Sequence, residues 1–301
     1  MKFIPLTEIQ GKSKLSVIKF ISDHEFLNVQ FTSILKKNIS NAYAVYINEI
    51  RPQELYGIIG IKKTVFHILP FAKTNSQTAL QQDFIQSFKD FYKKEKFSNP
   101  ICINGQKDGT ELLLQCFTEL GINPLQQNEY NLLKLDAKKF LINLKKTEKQ
   151  KKDFVIFRCK KDIEENLKKQ LLELQYLYEK EEVVPECFSF DENLSRLRFS
   201  NSLRAQYILA LLFNGKIIAK AGTNALGFKY VQLGGIFTLK DFRRQHFSKI
   251  LLQTLLFRLL RIKKSVVLFV KKENIPANNL YNSLSFNKIS EYLIAYFKPN
   301  L

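Results

Sequence analysis

The chain has 301 residues, room for two domains at roughly 150 residues each. With 45% hydrophobic and 25% charged residues it has the composition of a folded protein, which excludes wholesale disorder. Lys and Arg number 47 against 28 Asp and Glu, a net charge of +19, and after residue 200 the balance is 16 to 3. Something anionic is therefore expected to meet the C-terminal third. No apolar run approaches the roughly 20 residues of a membrane span, and MKFIPLTEIQGKSK lacks the apolar stretch of a secretory leader. Cys102, Cys116, Cys159 and Cys187 lie far apart with no CxxC, so they read as reduced core or near-core thiols of a cytoplasmic protein. His24, His67 and His246 are scattered and define no metal site.

In chain order, helices are expected at about 7–21 and 24–37, then strands near 42–48, 55–61 and 64–70, the last closed by Leu69-Pro70. A helix at 78–95, a strand at 99–104, a helix at 109–120 and a strand at 129–135 follow. The lysine-rich segment 137–153 has only Phe140, Leu141, Ile142 and Leu144 as apolar residues. It reads as a short surface helix or a solvated linker, poor core material either way. The domain junction falls there, separating 1–147 from 148–301.

The second half opens with a strand at 153–158. Apolar residues then recur at helical spacing over 161–182 (Ile163, Leu167, Leu171, Leu174, Leu177, Tyr178), and a short helix covers 192–202. Two apolar runs flank Asn214-Gly215, a strong hairpin signal because both positions tolerate φ > 0. A strand at 228–238, a helix at 244–262, a strand at 265–270, a helix at 275–284 and a strand at 287–298 complete the chain. The second half reads β α α β β β α β α β, and the first half reads the same without its first strand. The expected fold class is α/β (α+β), two copies of one architecture, each a mixed, mostly antiparallel sheet with helices on both faces.

Two segments carry chemistry. In GGIFTLKDFRRQHFSKILLQ a strand ends near Thr238 and a basic turn feeds a helix. Free N–H groups and the positive dipole end make such a turn a natural anion site, although Arg243 and Arg244 facing solvent would leave the same pattern. In VKKENIPANNLYNSLSF, Asn274 suits an N-cap and Pro276 a first helical turn. Tyr281 is either a functional phenol or an aromatic on the buried face of that helix.

Residues 153–298 resemble the GNAT superfamily of N-acetyltransferases. Arg243-Arg244-Gln245-His246-Phe247-Ser248 lies over the family's Arg/Gln-x-x-Gly-x-Gly/Ala, and Asn274-Ile275-Pro276-Ala277…Leu280-Tyr281…Ser285-Phe286 over Asn-x-x-Ala…Leu-Tyr-x-x-x-Gly-Phe. Gln232–Thr238 is similar to a subgroup in which a GNAT domain follows a diverged N-terminal copy. The resemblance implies acetyl-CoA as co-substrate, bound between the fourth and fifth strands of the C-terminal domain, with no metal. It assigns the pantetheine arm to Ile236, Phe237 and Thr238. The pyrophosphate falls to the loop of Arg243, Arg244, Gln245, His246, Phe247, Ser248 and Lys249, with Asn274 and Ala277 also on the cofactor side. Tyr281 would protonate the departing thiolate, and Glu181 or Glu182 would take the proton of a small-molecule or peptide amine.

Two positions depart from the pattern. His246 and Ser285 stand where the family keeps glycine, which leaves a catalytically retired CoA-binding or regulatory protein as an alternative, beside a transferase of another acyl or aminoacyl group. The N-terminal loop Phe71–Gln77 has no glycine and one basic residue, so that copy is expected to bind no CoA. No zinc finger or RNP-like motif supports nucleic-acid binding, and oligomeric state is left open.

Overall fold

The computed structural model opens with a strand that hydrophobic spacing does not announce. Lys2–Pro5 (β1) pairs antiparallel with Ala42–Ile47 (β2), Phe3 opposite Val45. Four residues ending in proline are too few to show a period, and Pro5 is tolerated because β1 is an edge strand. The structure describes residues 1–47, 54–69, 77–145, 154–262 and 264–298. Pro70, the loop residues 71–76, Asp153 and the expected junction near 148 lie outside the described residues.

The first half continues through helices Gly11–His24 (α1) and Val29–Leu35 (α2), then strands Glu54–Ile61 (β3) and Thr64–Ile68 (β4). Helix Gln77–Lys94 (α3), strand Cys102–Gln106 (β5), helix Lys107–Glu119 (α4), strand Gln126–Leu135 (β6) and helix Ala137–Lys145 (α5) follow. The second half runs Phe154–Cys159 (β7), Glu165–Tyr178 (α6), Glu192–Ala205 (α7), Ile208–Phe213 (β8), Lys216–Leu226 (β9) and Tyr230–Thr238 (β10). It ends with Phe247–Arg261 (α8), Ser265–Lys271 (β11), Ile275–Ser283 (α9) and Phe286–Tyr296 (β12). With β1 included and α5 set aside as the connecting helix, both halves have the order β α α β β β α β α β.

The chain divides into two compact units. One holds Met1–Leu132, Gly227–Lys229 and Ser290–Leu301, the other Leu133–Leu226 and Tyr230–Ile289. In the first unit the strand order is β1-β2-β3-β4-β5-β12, with β4 and β5 parallel and the other neighbouring pairs antiparallel. The C-terminal part of β12 belongs here, Tyr292 opposite Gln106. Phe84, Phe88, Phe117 and Phe297 fill this unit's core.

In the second unit the order is β11-β10-β9-β8-β7, with β10 and β11 parallel and the rest antiparallel. Helix α8 buries Leu251, Leu252, Leu255, Leu256 and Leu259 against Leu209, Leu211, Ile218, Val231 and Leu233 on one face. On the other, α6 and α7 bury Leu171, Leu174, Phe199 and Leu203 against Ile208, Ala210, Ile217 and Phe237. Each such side chain contributes about 1.5–3 kcal/mol of hydrophobic stabilisation. Asn214 (φ 48°) and Gly215 (φ 75°) are both left-handed, as the two-residue β8–β9 turn requires.

Two expectations need correction. The segment 137–153 is not wholly poor core material, because Phe140 of α5 is buried in the core of the second unit. Of the four cysteines, all free thiols, Cys187 is exposed, since it lies in the irregular segment between α6 and α7.

Candidate functional site

The parallel ladder between β10 and β11 is short. Tyr230–Gln232 pair with Ser265–Val267, and β10 continues to Thr238 beyond them. On its other side β10 carries a bulge. Its register against β9 passes from Gly234 opposite Gly222 to Phe237 opposite Lys220, so Gly235 and Ile236 together face the single residue Ala221. Gly235 has φ +63°, the left-handed first position of a glycine bulge. Its N–H donates to Tyr178 Oη (3.3 Å) and its carbonyl accepts from Lys220 Nζ (2.9 Å).

After β10 a 3₁₀ turn, Lys240–Phe242, leads to the opening of α8. Arg244 (φ 61°) and His246 (φ 65°) are both left-handed. His246 thus adopts a conformation that glycine would take without strain. The first helical bond of α8 runs from Ile250 N–H to His246 O, so the amides of the first turn have no intrahelical acceptor. Thr238 Oγ1 and Ser248 Oγ are hydrogen-bonded at 2.7 Å, and Gln245 Nε2 donates to Asp241 O. The Phe247 side chain is in the core. Arg243 is committed: Nε donates to Thr238 O (3.0 Å) and the guanidinium meets Glu181 at 2.8 Å. Among the described residues, Arg244 and Lys249 form no ion pair.

The helix expected over 161–182 is α6 followed by a π turn. Glu179–Val183 is closed by Val184 N–H to Glu179 O (2.8 Å), a five-residue span, and π turns recur at functional sites. The wider turn sends neighbouring carboxylates in different directions. Glu179 is buried and accepts from Gln175 Nε2 (2.7 Å), Glu181 pairs with Arg243, and Glu182 accepts from Asn274 Nδ2 (3.2 Å). Burial pushes the Glu182 carboxyl above its ordinary range, Glu181 adds to this, and Lys271, Asn274 and Arg243 oppose it.

Asn274 also caps α9, accepting from Ala277 N–H at 3.1 Å. Tyr281 is buried, and burial pushes its phenol well above 10, with Tyr178 and Glu182 adding to the shift. After α9, Ser285 (φ 68°) is left-handed at the second position where the family has glycine. The structure therefore brings Glu182, Asn274 and Tyr281 to one place and engages Glu181 elsewhere. Beside Glu181 and Phe237 lies a cavity of about 550 Å³, lined also by Leu177, Lys216 and Lys240. Sequence reasoning missed Tyr178, Lys220 and Gly235. The available signal was Lys220 itself, a lysine inside the apolar run Ile217–Ala221.

The first unit holds the equivalent parallel pair, Thr64–Phe66 with Cys102–Asn104, but the space beyond it is filled. His67 is fully buried, its Nε2 2.8 Å from Thr110 Oγ1. Its ring lies over Gly105 and Gly109, and a Cβ built on Gly105 would stand 2.0 Å from Nε2. Burial pushes the imidazole down to about 3, so the plug is neutral.

Residues 170–286 match the family model of the acetyltransferase (GNAT) family. A solved Drosophila protein has a TM-score of 0.62 at 12% identity, covering 97% of this chain and 99% of that one. A tandem GNAT protein from the clavulanic acid biosynthesis pathway has a TM-score of 0.56 at 11% identity, covering 100% and 99%. A GNAT-family acetyltransferase from Colwellia psychrerythraea has a TM-score of 0.53 at 12% identity, covering 99% of each. No curated protein matches the chain at a significant level. Residues 170–286 therefore belong to the GNAT acetyltransferase family, and the whole chain has the fold of a tandem GNAT protein.

Proposed function

We propose that this protein is an N-acetyltransferase that moves an acetyl group from acetyl-CoA to a primary amine, small-molecule or peptide, by direct attack. Its site is in a C-terminal domain (148–301) that follows a diverged, non-binding N-terminal copy (1–147) in the chain. The observation that carries the reading is the left-handed loop at Arg244 and His246, which opens α8 where β10 has left its parallel ladder. First-turn amides, Arg244 and Lys249 suit the CoA phosphates there, and Ile236, Phe237 and Thr238 suit the pantetheine arm. The His67 plug supports a single site per chain.

Acetyl-CoA is the substrate that supplies the thioester. The amine nitrogen bonds to the thioester carbon as the C–S bond breaks. Glu182 accepts the amine's proton, a task helped by its raised carboxyl, and Tyr281, held protonated by burial, gives a proton to the thiolate sulfur. Holding amine against thioester supplies most of the rate.

Thermal unfolding with and without acetyl-CoA tests the reading. A ligand at about 100 times its Kd adds roughly 2.7 kcal/mol, a shift of several degrees. The shift is expected to be lost in Arg244→Ala and kept in Tyr281→Phe. No shift with any CoA thioester would favour a retired regulatory protein with a closed cofactor site, for which His246, with its Cβ in the phosphate loop, is the specific observation.

A further inference from the structure

Lys220 has no role in the scheme above, yet burying a lysine is costly unless its charge is matched. It lies on β9 with 2% of its surface exposed, its neighbours Ala219 and Ala221 fully buried. Its Nζ is 2.9 Å from Gly235 O and 4.2 Å from the centre of the Tyr178 ring, a hydrogen bond and a cation–π contact. The titratable groups that face it are Glu179 of the π turn and the thiol of Cys159 on β7. Cys159 is itself pushed up to about 12 by burial and is neutral. Among the described residues Lys220 closes no salt bridge within 4 Å. Its ammonium donates to the carbonyl of the bulge glycine.

That carbonyl shares a planar trans peptide with the N–H of Ile236, and in such a peptide the two point in opposite directions. Ile236 lies in the bulge, outside the one-to-one register of β10 with β9. Tyr178 Oη holds the preceding N–H, so the Gly235 residue is gripped at both its amide and its carbonyl. A cation on the carbonyl oxygen also polarises the peptide and strengthens the N–H on the far side as a donor.

We infer that Lys220 is a positioning residue of the acyl site: its ammonium pins the Gly235 carbonyl and thereby aims and strengthens the Ile236 N–H as donor to the acyl carbonyl of the bound thioester. This rests on the acetyltransferase reading above. It separates two parts of the ligand, because CoA and acetyl-CoA share every phosphate and pantetheine contact and differ in the acyl carbonyl. Burial lowers the Lys220 ammonium to about 7, Glu179 opposing, so the donor is strong below that pH and weakens above it.

Calorimetric titration of the full chain with acetyl-CoA and, separately, with CoA tests this at about pH 6 and about pH 8.5, either side of that value. At the lower pH acetyl-CoA is expected to bind about tenfold tighter than CoA, the worth of one hydrogen bond to a polarised donor. The ratio falls toward one at the higher pH. In Lys220→Met the ratio is near one at both, with CoA affinity unchanged. A wild-type ratio that does not move with pH overturns the inference, as does a Lys220→Met variant that loses CoA and acetyl-CoA equally. If that variant does not fold, the wild-type series decides alone. Failure of both ligands to bind the wild type overturns the acetyltransferase reading and takes this inference with it.

Discussion

Arg243 and Glu181 stand 62 residues apart in sequence and form an ion pair at 2.8 Å, which gives two adjacent glutamates different work. Glu181 steadies the loop that leads into α8, while Glu182 turns toward Asn274 and the neighbourhood of Tyr281. Glu182→Gln is expected to lower kcat for thiol release with a primary amine by about 10²-fold or more, the usual worth of a general base. Glu181→Gln should cost less than about tenfold. The wild-type rate rises as pH climbs through the raised Glu182 value, because the base must be ionised, and this limb disappears in Glu182→Gln. Equal losses in the two variants would sink the assignment.

His246 adopts φ 65° with a side chain that opposes it. His246→Gly removes a strain of about 1 kcal/mol, partly offset by glycine's greater freedom in the unfolded chain. A slightly higher Tm is expected, with tighter acetyl-CoA binding because no Cβ then separates backbone from phosphate. Weaker binding would mean that the imidazole is itself a phosphate donor.

The His67 plug links the first unit to acid stability. Its imidazole falls to about 3 in the folded chain, from 6.5 when solvated, so between these values the unfolded state binds more protons. The contribution is therefore fully present above about 6.5 and is lost as pH falls toward 3, at up to about 1.4 kcal/mol per pH unit. Urea unfolding of wild type and His67→Leu across pH 4–7 should give curves that diverge as pH falls, the wild type losing more. Parallel curves would contradict a buried neutral ring.

Asn274 does two jobs, capping α9 and meeting Glu182. Asn274→Ala should cost about 1 kcal/mol of stability, the worth of a cap. Asn274→Asp keeps the cap acceptor but sets a second carboxylate against Glu182. The expected result is near-normal stability with the pH–rate limb moved further up, and an unmoved limb would argue against that contact.

Much of the fold is written in short stretches. Asn214-Gly215 encodes its turn because both residues accept left-handed backbone, and α8 announces itself through leucines at helical spacing. The Asn274–Pro276 helix start is equally local. β1 escaped because four residues cannot display a period and its pairing partner lies some 40 residues away. The π turn escaped because the apolar spacing that marks α6 stops at Tyr178, before the turn begins.

Apart from β1 and α5, the sequence alone determined the order of the strands and main helices, the basic helix start and the Asn274–Tyr281 motif, since each depends on residues within a turn or two of one another. Tertiary structure decided which of two neighbouring glutamates is tied to Arg243, that a lysine in an apolar strand holds the bulge carbonyl, and that His67 fills the space over Gly105. Those outcomes depend on partners 15 to 62 residues apart. No local preference distinguishes Glu181 from Glu182 or a buried lysine from an exposed one. Only the register of β9 against β10 and the packing of α6 over them set the distances that do.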